Sequence, residues 1–166
     1  MGKQAIVLSG ISGTGKTRYR ESHLAEFPYV DISDVYKDVP GISWDAAVSA
    51  VATRALKLFQ EHDTVVIEGY FLKGTPSRLQ LIHELRVGGV RVKIINMLEP
   101  SLGIIEKRLR DSGRPDWKQK LNIATSVISK RQEDFKLEQG SVDGCRARLT
   151  TIERIVPDPF PRLPEE

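Results

Sequence analysis

Short apolar runs alternate with helical stripes along this chain. Ala5-Ile6-Val7-Leu8 is continuously apolar, the pattern of a strand covered on both faces. Thr64-Val65-Val66-Ile67 repeats that pattern and ends in Glu68-Gly69, and Val90 to Leu98 predicts a further strand. Tyr29-Val30-Asp31-Ile32 is a shorter candidate, with Asp31 still inside the strand. Between these runs the spacing turns helical. Lys16 to Glu26 reads as a helix stopping before Pro28. Trp44 to Gln60 is the clearest, with Ser43 as its cap and Ala47, Val48, Val51, Ala55, Leu58 and Phe59 at helical spacing. Thr75-Pro76 opens a helix whose face is Leu79, Ile82 and Leu85, halted by Gly88-Gly89. Glu99-Pro100 opens another through Arg110, carrying Leu102, Ile105 and Leu109 on one face. Pro115 to Glu138 is a long helical stretch, and Ala147 to Val156 holds a last strand candidate.

Strands alternating with helices predict an α/β fold with a mostly parallel sheet. The expected organisation is one domain over residues 1–156, with an irregular, proline-rich tail at 157–166. In such sheets ligands sit beyond the strand C-termini. The segments to inspect are therefore Ser9 to Thr17, Asp31 to Lys37, Glu68 to Lys73, and Glu99.

Composition narrows the function classes. With 40% hydrophobic and 28% charged residues the chain is ordinary for a folded globular protein. Its apolar runs are too short to span a membrane, and the first residues run straight into a strand rather than a leader. Ile6 stands where a myristoylation signal after Gly2 would want Ser or Thr. The single cysteine, Cys145, excludes an internal disulfide and a cysteine-only zinc cluster, which fits a reducing, cytoplasmic location. A formal charge of +3 and a pI near 9.0 tolerate an anionic ligand without demanding nucleic acid.

The densest chemistry is Gly10-Ile11-Ser12-Gly13-Thr14-Gly15-Lys16-Thr17, a full Walker A pattern in its strand–loop–helix context. Gly10, Gly13 and Gly15 let the chain bend round phosphates, with the backbone of Ser12 and Thr14 completing the cradle. The helix starting at Lys16 adds its positive dipole end. Lys16 reaches the β- and γ-phosphates, and Thr17 is a magnesium ligand. ATP with Mg2+ is the implied cofactor pair. No Asn-Lys-x-Asp guanine-recognition segment is present.

The other strand ends decide what receives the phosphoryl group. Asp34 is the candidate base for an acceptor hydroxyl, while Asp31 and Asp38 read as helix caps. Glu68 has the position of a Walker B acid, able to hold magnesium or orient the acceptor. Tyr70 and Phe71 follow it, as stacking surfaces or as packing. Lys107, Arg108, Arg110 and Arg114 surround Asp111-Ser112-Gly113, and Gly113 with Pro115 offers a hinge. Arginines there would neutralise charge developing in transfer. The three histidines are scattered and read as surface residues rather than ligands.

Together the glycine loop, Tyr29 to Lys37, the Val65–Glu68 strand end and the Arg108–Arg114 segment resemble the polynucleotide kinase branch of the P-loop kinases, over roughly residues 4 to 136. The resemblance implies a five-stranded parallel sheet, a small lid at about 107–118, ATP and magnesium, and a hydroxyl acceptor. By position it makes Asp34 the general base, and Arg108, Arg110 and Arg114 the lid cations. Lys37 stands where the family has an arginine on the acceptor-side phosphate, and Glu68 where it usually has an aspartate. The acceptor this implies is a hydroxyl on nucleic acid, DNA favoured: a polynucleotide 5′-OH or a hydroxymethylated base. A small-metabolite or nucleoside kinase, and an ATPase switch module, are the alternatives.

Overall fold

The computed structural model describes residues 2–72, 74–97, 101–139 and 153–156. The chain runs β1 (Gln4–Ser9), α1 (Lys16–His23), β2 (Tyr29–Asp31), α2 (Ile32–Asp38), α3 (Trp44–Leu58), β3 (Thr64–Gly69), α4 (Pro76–Val87), β4 (Arg91–Met97), α5 (Leu102–Asp111), α6 (Trp117–Gln139) and β5 (Glu153–Val156). The sheet order is β2-β3-β1-β4-β5, and every pairing in it is parallel. Four strands, β2-β3-β1-β4, form its body, and β5 lies along the outer edge of β4. β1 is central because its residues are buried on both faces, as a continuous apolar run demands. Ser9 is level with Gly69 on one side and Asn96 on the other, so three strand tips end in one row. Asp31 is level with Glu68 in the next pair.

Helices cover both faces. On one, Val7, Val65, Ile67 and Ile94 pack with Val48, Val51 and Ala55 of α3 and Leu81 and Leu85 of α4. On the other, Ile6, Leu8, Val66, Ile95 and Met97 meet Tyr19, Leu24 and Phe27 of α1 and the turn after it. A third cluster joins Ile11 of the glycine loop to Ile105 and Leu109 of α5 and Ala124 of α6.

Four local readings change. Ile32 opens α2 instead of ending a strand, because the Asp31 side chain accepts from the Ser33 N–H at 2.8 Å and caps the helix. α1 stops at His23, short of Glu26, its last turn closed by Leu24 N–H donating to the Arg20 carbonyl. In α4 the stripe 78, 81, 82 and 85 faces the core. Leu81 and Leu85 are buried and Ile82 partly so, whereas Leu79 is 67% exposed. Leu102 likewise lies at the rim of α5, 37% exposed, and leaves the packing to Ile105 and Leu109. The helix opening at Glu99-Pro100, Cys145 and the tail from Pro157 lie outside the described residues.

The two α4 leucines make a paired test. Leu85→Ala should cost roughly 2–5 kcal/mol, read as a lower denaturant midpoint at unchanged slope. Leu79→Ala should stay within about 0.5 kcal/mol of the parent. Equal losses from both would mean that the helix face has been misplaced.

Candidate active site

The glycine loop hangs from the tip of β1. Gly10 N–H donates to the Gly69 carbonyl at 3.2 Å, tying the loop to the end of β3. Gly13 and Gly15 have φ of 87° and 88°, left-handed values that side-chain-bearing residues rarely adopt. Thr14 is buried, and its hydroxyl donates to the Ile11 carbonyl at 2.9 Å, so it braces the loop from inside. Ser12 is half-buried beside it.

Lys16 folds back over this loop. Its Nζ donates to the carbonyls of Gly10 at 2.7 Å and Ile11 at 2.9 Å. Desolvation pushes its pKa from 10.5 down to about 8, opposed by the nearby carboxylates of Glu68 and Asp31 and assisted by Lys120 and Arg114. The ammonium thus ties the start of the glycine loop back to the first turn of α1.

Glu68 is 3% exposed, and both of its oxygens are engaged. Thr17 Oγ1 donates to Oε1, and Arg20 Nε lies 3.0 Å from Oε2. Thr17 and Glu68, each expected to face a magnesium ion, are hydrogen-bonded to one another. Their two hard oxygen donors beside Lys16 fit a magnesium ion that also carries nucleotide phosphates. Arg20 is a residue the sequence reading missed; its signal was an arginine one turn beyond Lys16, on the helix face toward β3.

The arginines of α5 and the following turn part company. Arg108 Nη1 donates to the Gly13 carbonyl at 2.9 Å and joins the loop. Arg114 pairs with Asp116 at 3.3 Å, close enough for its charge to act on Lys16. Arg110, expected at the nucleotide, instead turns outward to Glu106 at 2.5 Å and over the Trp117 ring at 5.0 Å. Lys120 of α6 lies near enough to the loop for its charge to act on Lys16.

On the acceptor flank, Asp34 sits in the first turn of α2, 3.5 Å from Lys37 Nζ, with both side chains largely exposed. Arg54 pairs with Asp38 at 2.8 Å. Tyr70 meets the edge of Trp44, which also stacks with Tyr36 and tilts against Phe71. Burial raises the Tyr36 hydroxyl above its ordinary pKa. Arg78, also missed, is 4% exposed and ties two strand tips together, donating to the Phe71 carbonyl at 2.6 Å and to Asn96 Oδ1 at 2.5 Å.

No family model and no curated protein matches this sequence. Solved structures match the fold. A gluconokinase from Sinorhizobium meliloti 1021 is similar over 95% of this chain and 84% of its own, at 18% identity and a TM-score of 0.53. A putative kinase from Chloroflexus aurantiacus j-10-fl is similar over 74% and 78%, at 15% identity and a TM-score of 0.56. The Mycobacterium tuberculosis APS kinase CysC, solved with AMPPNP and APS, is similar over 64% and 68%, at 16% identity and a TM-score of 0.50. The chain has the fold of the P-loop kinases. These likenesses lend nothing to the polynucleotide kinase branch in particular. Among the described residues no helix is long and apolar enough to cross a membrane.

Lys16 makes nucleotide binding pH-dependent. In the free protein it loses its proton near pH 8, and phosphates that replace its carbonyl partners raise that value again. Above about pH 8 binding must take up a proton, so affinity should fall by up to about tenfold per pH unit. Calorimetry at about pH 9, in buffers of different ionisation enthalpy, should read an uptake approaching one proton. Affinity flat from neutral pH to about 10 would refute the depressed lysine.

Proposed function

We propose that this protein is an ATP- and magnesium-dependent phosphotransferase whose acceptor is a hydroxyl on a small molecule. The observation that carries the reading is the convergence on one sheet edge of Lys16, the Thr17–Glu68 pair and Arg108, with Asp34 on the adjoining flank. Lys16 and the loop N–H groups would hold the phosphates, and Thr17 and Glu68 the cation that neutralises them. Arg108 and Arg114 would balance charge on the transferred group. Asp34, exposed at the C-terminal end of β2, is placed to accept the proton of an incoming hydroxyl.

Charge on the acceptor flank favours a small molecule over nucleic acid. A polynucleotide site needs cations free to track phosphates. Here Lys37 is paired with Asp34 and Arg54 with Asp38, and the flank carries Asp31, Asp34, Asp38 and Glu61 against Lys37, Arg54 and Lys57. The expected contact of Lys37 with an acceptor-side phosphate thus competes with its own aspartate. A cavity of about 410 Å³ beside Asp31, Asp34 and Arg54 is within the size range of metabolite sites. The similar folds named above belong to a gluconokinase and an APS kinase, which supports the same choice.

Labelled ATP offered with hydroxylated metabolites, nucleosides, DNA and RNA tests the acceptor directly. Transfer to a small molecule is expected; transfer to DNA or RNA alone would reverse the choice. Asp34→Asn should lower kcat by roughly 10²–10⁴ and leave ATP affinity intact. Full turnover in that variant would remove Asp34 from the proton transfer.

A further inference from the structure

Glu68 and Arg20 form an ion pair at the point where a cation would bind, and this carries a consequence for how the cation enters. Glu68 is the one buried carboxylate among the described residues. Arg20 is 9% exposed, so the pair lies inside the protein, where a lone charge is costly and a partnered one persists. The guanidinium is fixed from its other side by the Tyr29 ring, with Cζ 3.6 Å from the centroid. α1 and β2 therefore hold Arg20 against Glu68 in the absence of any ligand.

We infer that Arg20 is a positioning residue that makes cation binding at Thr17–Glu68 conditional on nucleotide. The Arg20 guanidinium cancels the Glu68 carboxylate, and the Lys16 ammonium balances the Asp31 carboxylate nearby. A free divalent cation meets no net negative charge there. Among the described residues no group of three His, Cys, Asp or Glu side chains could hold a metal by itself. The missing charge and oxygens are those of the nucleotide phosphates, so the cation arrives with them or after them. Arg20 also leaves Glu68 only its Thr17-facing oxygen, Oε1, to offer toward a metal or a metal-bound water. This rests on the phosphotransferase reading only for the identity of the site; it needs no acceptor.

Mn2+ binding followed by electron paramagnetic resonance, with and without ADP, tests the inference without turnover. The parent protein should bind Mn2+ appreciably only when ADP is present. Arg20→Met should bind Mn2+ without nucleotide at least about tenfold more tightly than the parent, because Glu68 is then uncompensated. Arg20→Lys, which keeps the charge, should restore dependence on ADP. Since Arg20→Met strands a buried charge, Tyr29→Leu is the second variant. It frees the guanidinium and should shift nucleotide-free Mn2+ binding in the same direction. Nucleotide-free binding unchanged in both variants, or equally tight in the parent, overturns the inference. Parent protein that fails to bind Mn2+ even with ADP overturns the nucleotide-site reading itself, which separates the two failures.

Discussion

Glu68 ends a strand of apolar residues with a carboxylate that water barely reaches, and the site is organised around that charge. A buried carboxylate with no partner would protonate or drive the strand end open. The fold answers with two donors from one helix: Thr17 at its start and Arg20 one turn on. Both side chains project from α1 toward β3, so the register of α1 against the sheet is set by the same contacts that hold Glu68. Tyr29 then supports Arg20 from β2, and the strand edge is coupled to the centre of the site. Stability and function share these atoms. For that reason a change at Arg20 cannot be read from stability alone.

The second constraint is the loop that rests on α5. Ile11 is buried among Ile105, Leu109 and Ala124, and a Cβ added at Gly13 would lie 3.1 Å from Ile105 Cγ2. Arg108, one turn beyond Ile105, bonds the Gly13 carbonyl from the same helix. The cradle is therefore pre-shaped from below by apolar packing and from the side by an arginine. Lys16 fills the remaining space with its own ammonium. Preorganisation of this sort lowers the cost of ordering the loop when phosphates arrive.

How much of this could be read in advance depended on what kind of signal each residue carried. Strand positions were legible because uninterrupted apolar runs leave few alternatives, and the glycine loop because its residues recur at fixed spacing for a physical reason. The helix caps at Ser43 and Thr75 were legible too, since both side chains accept from the N–H three residues on. The core stripe of α4 was not. Leucine at 79 is as apolar as leucine at 81, and only the direction of the helix axis separates them. Arg20 and Arg78 were missed because a lone arginine in a helix reads as surface. Nothing local announces that Glu68, 48 residues away, or Asn96, 18 away, will meet it. Arg110 differs in the opposite sense. Its sequence neighbourhood matched a lid, but Glu106 one turn earlier and Trp117 across the turn hold it on the outer face.

The two flanks of the site differ in charge, and that difference is worth more than the net charge of the chain. Toward the phosphate loop the converging groups are Lys16, Arg108, Arg114 and Lys120, with Glu68 and Arg20 cancelling beneath them. Toward α2 they are Asp31, Asp34, Asp38 and Glu61, with Lys57 beside them and Lys37 and Arg54 in ion pairs. A positive net charge distributed in this way does not make a basic groove. It makes a gradient from a cationic side at the glycine loop to a more acidic side at α2. Phosphoryl transfer needs that polarity: the donor's negative charge must be balanced where it grows, and the acceptor's proton must leave toward a base. Under the reading proposed above, the carboxylates of this flank disfavour a polyanionic acceptor and leave a small alcohol unopposed.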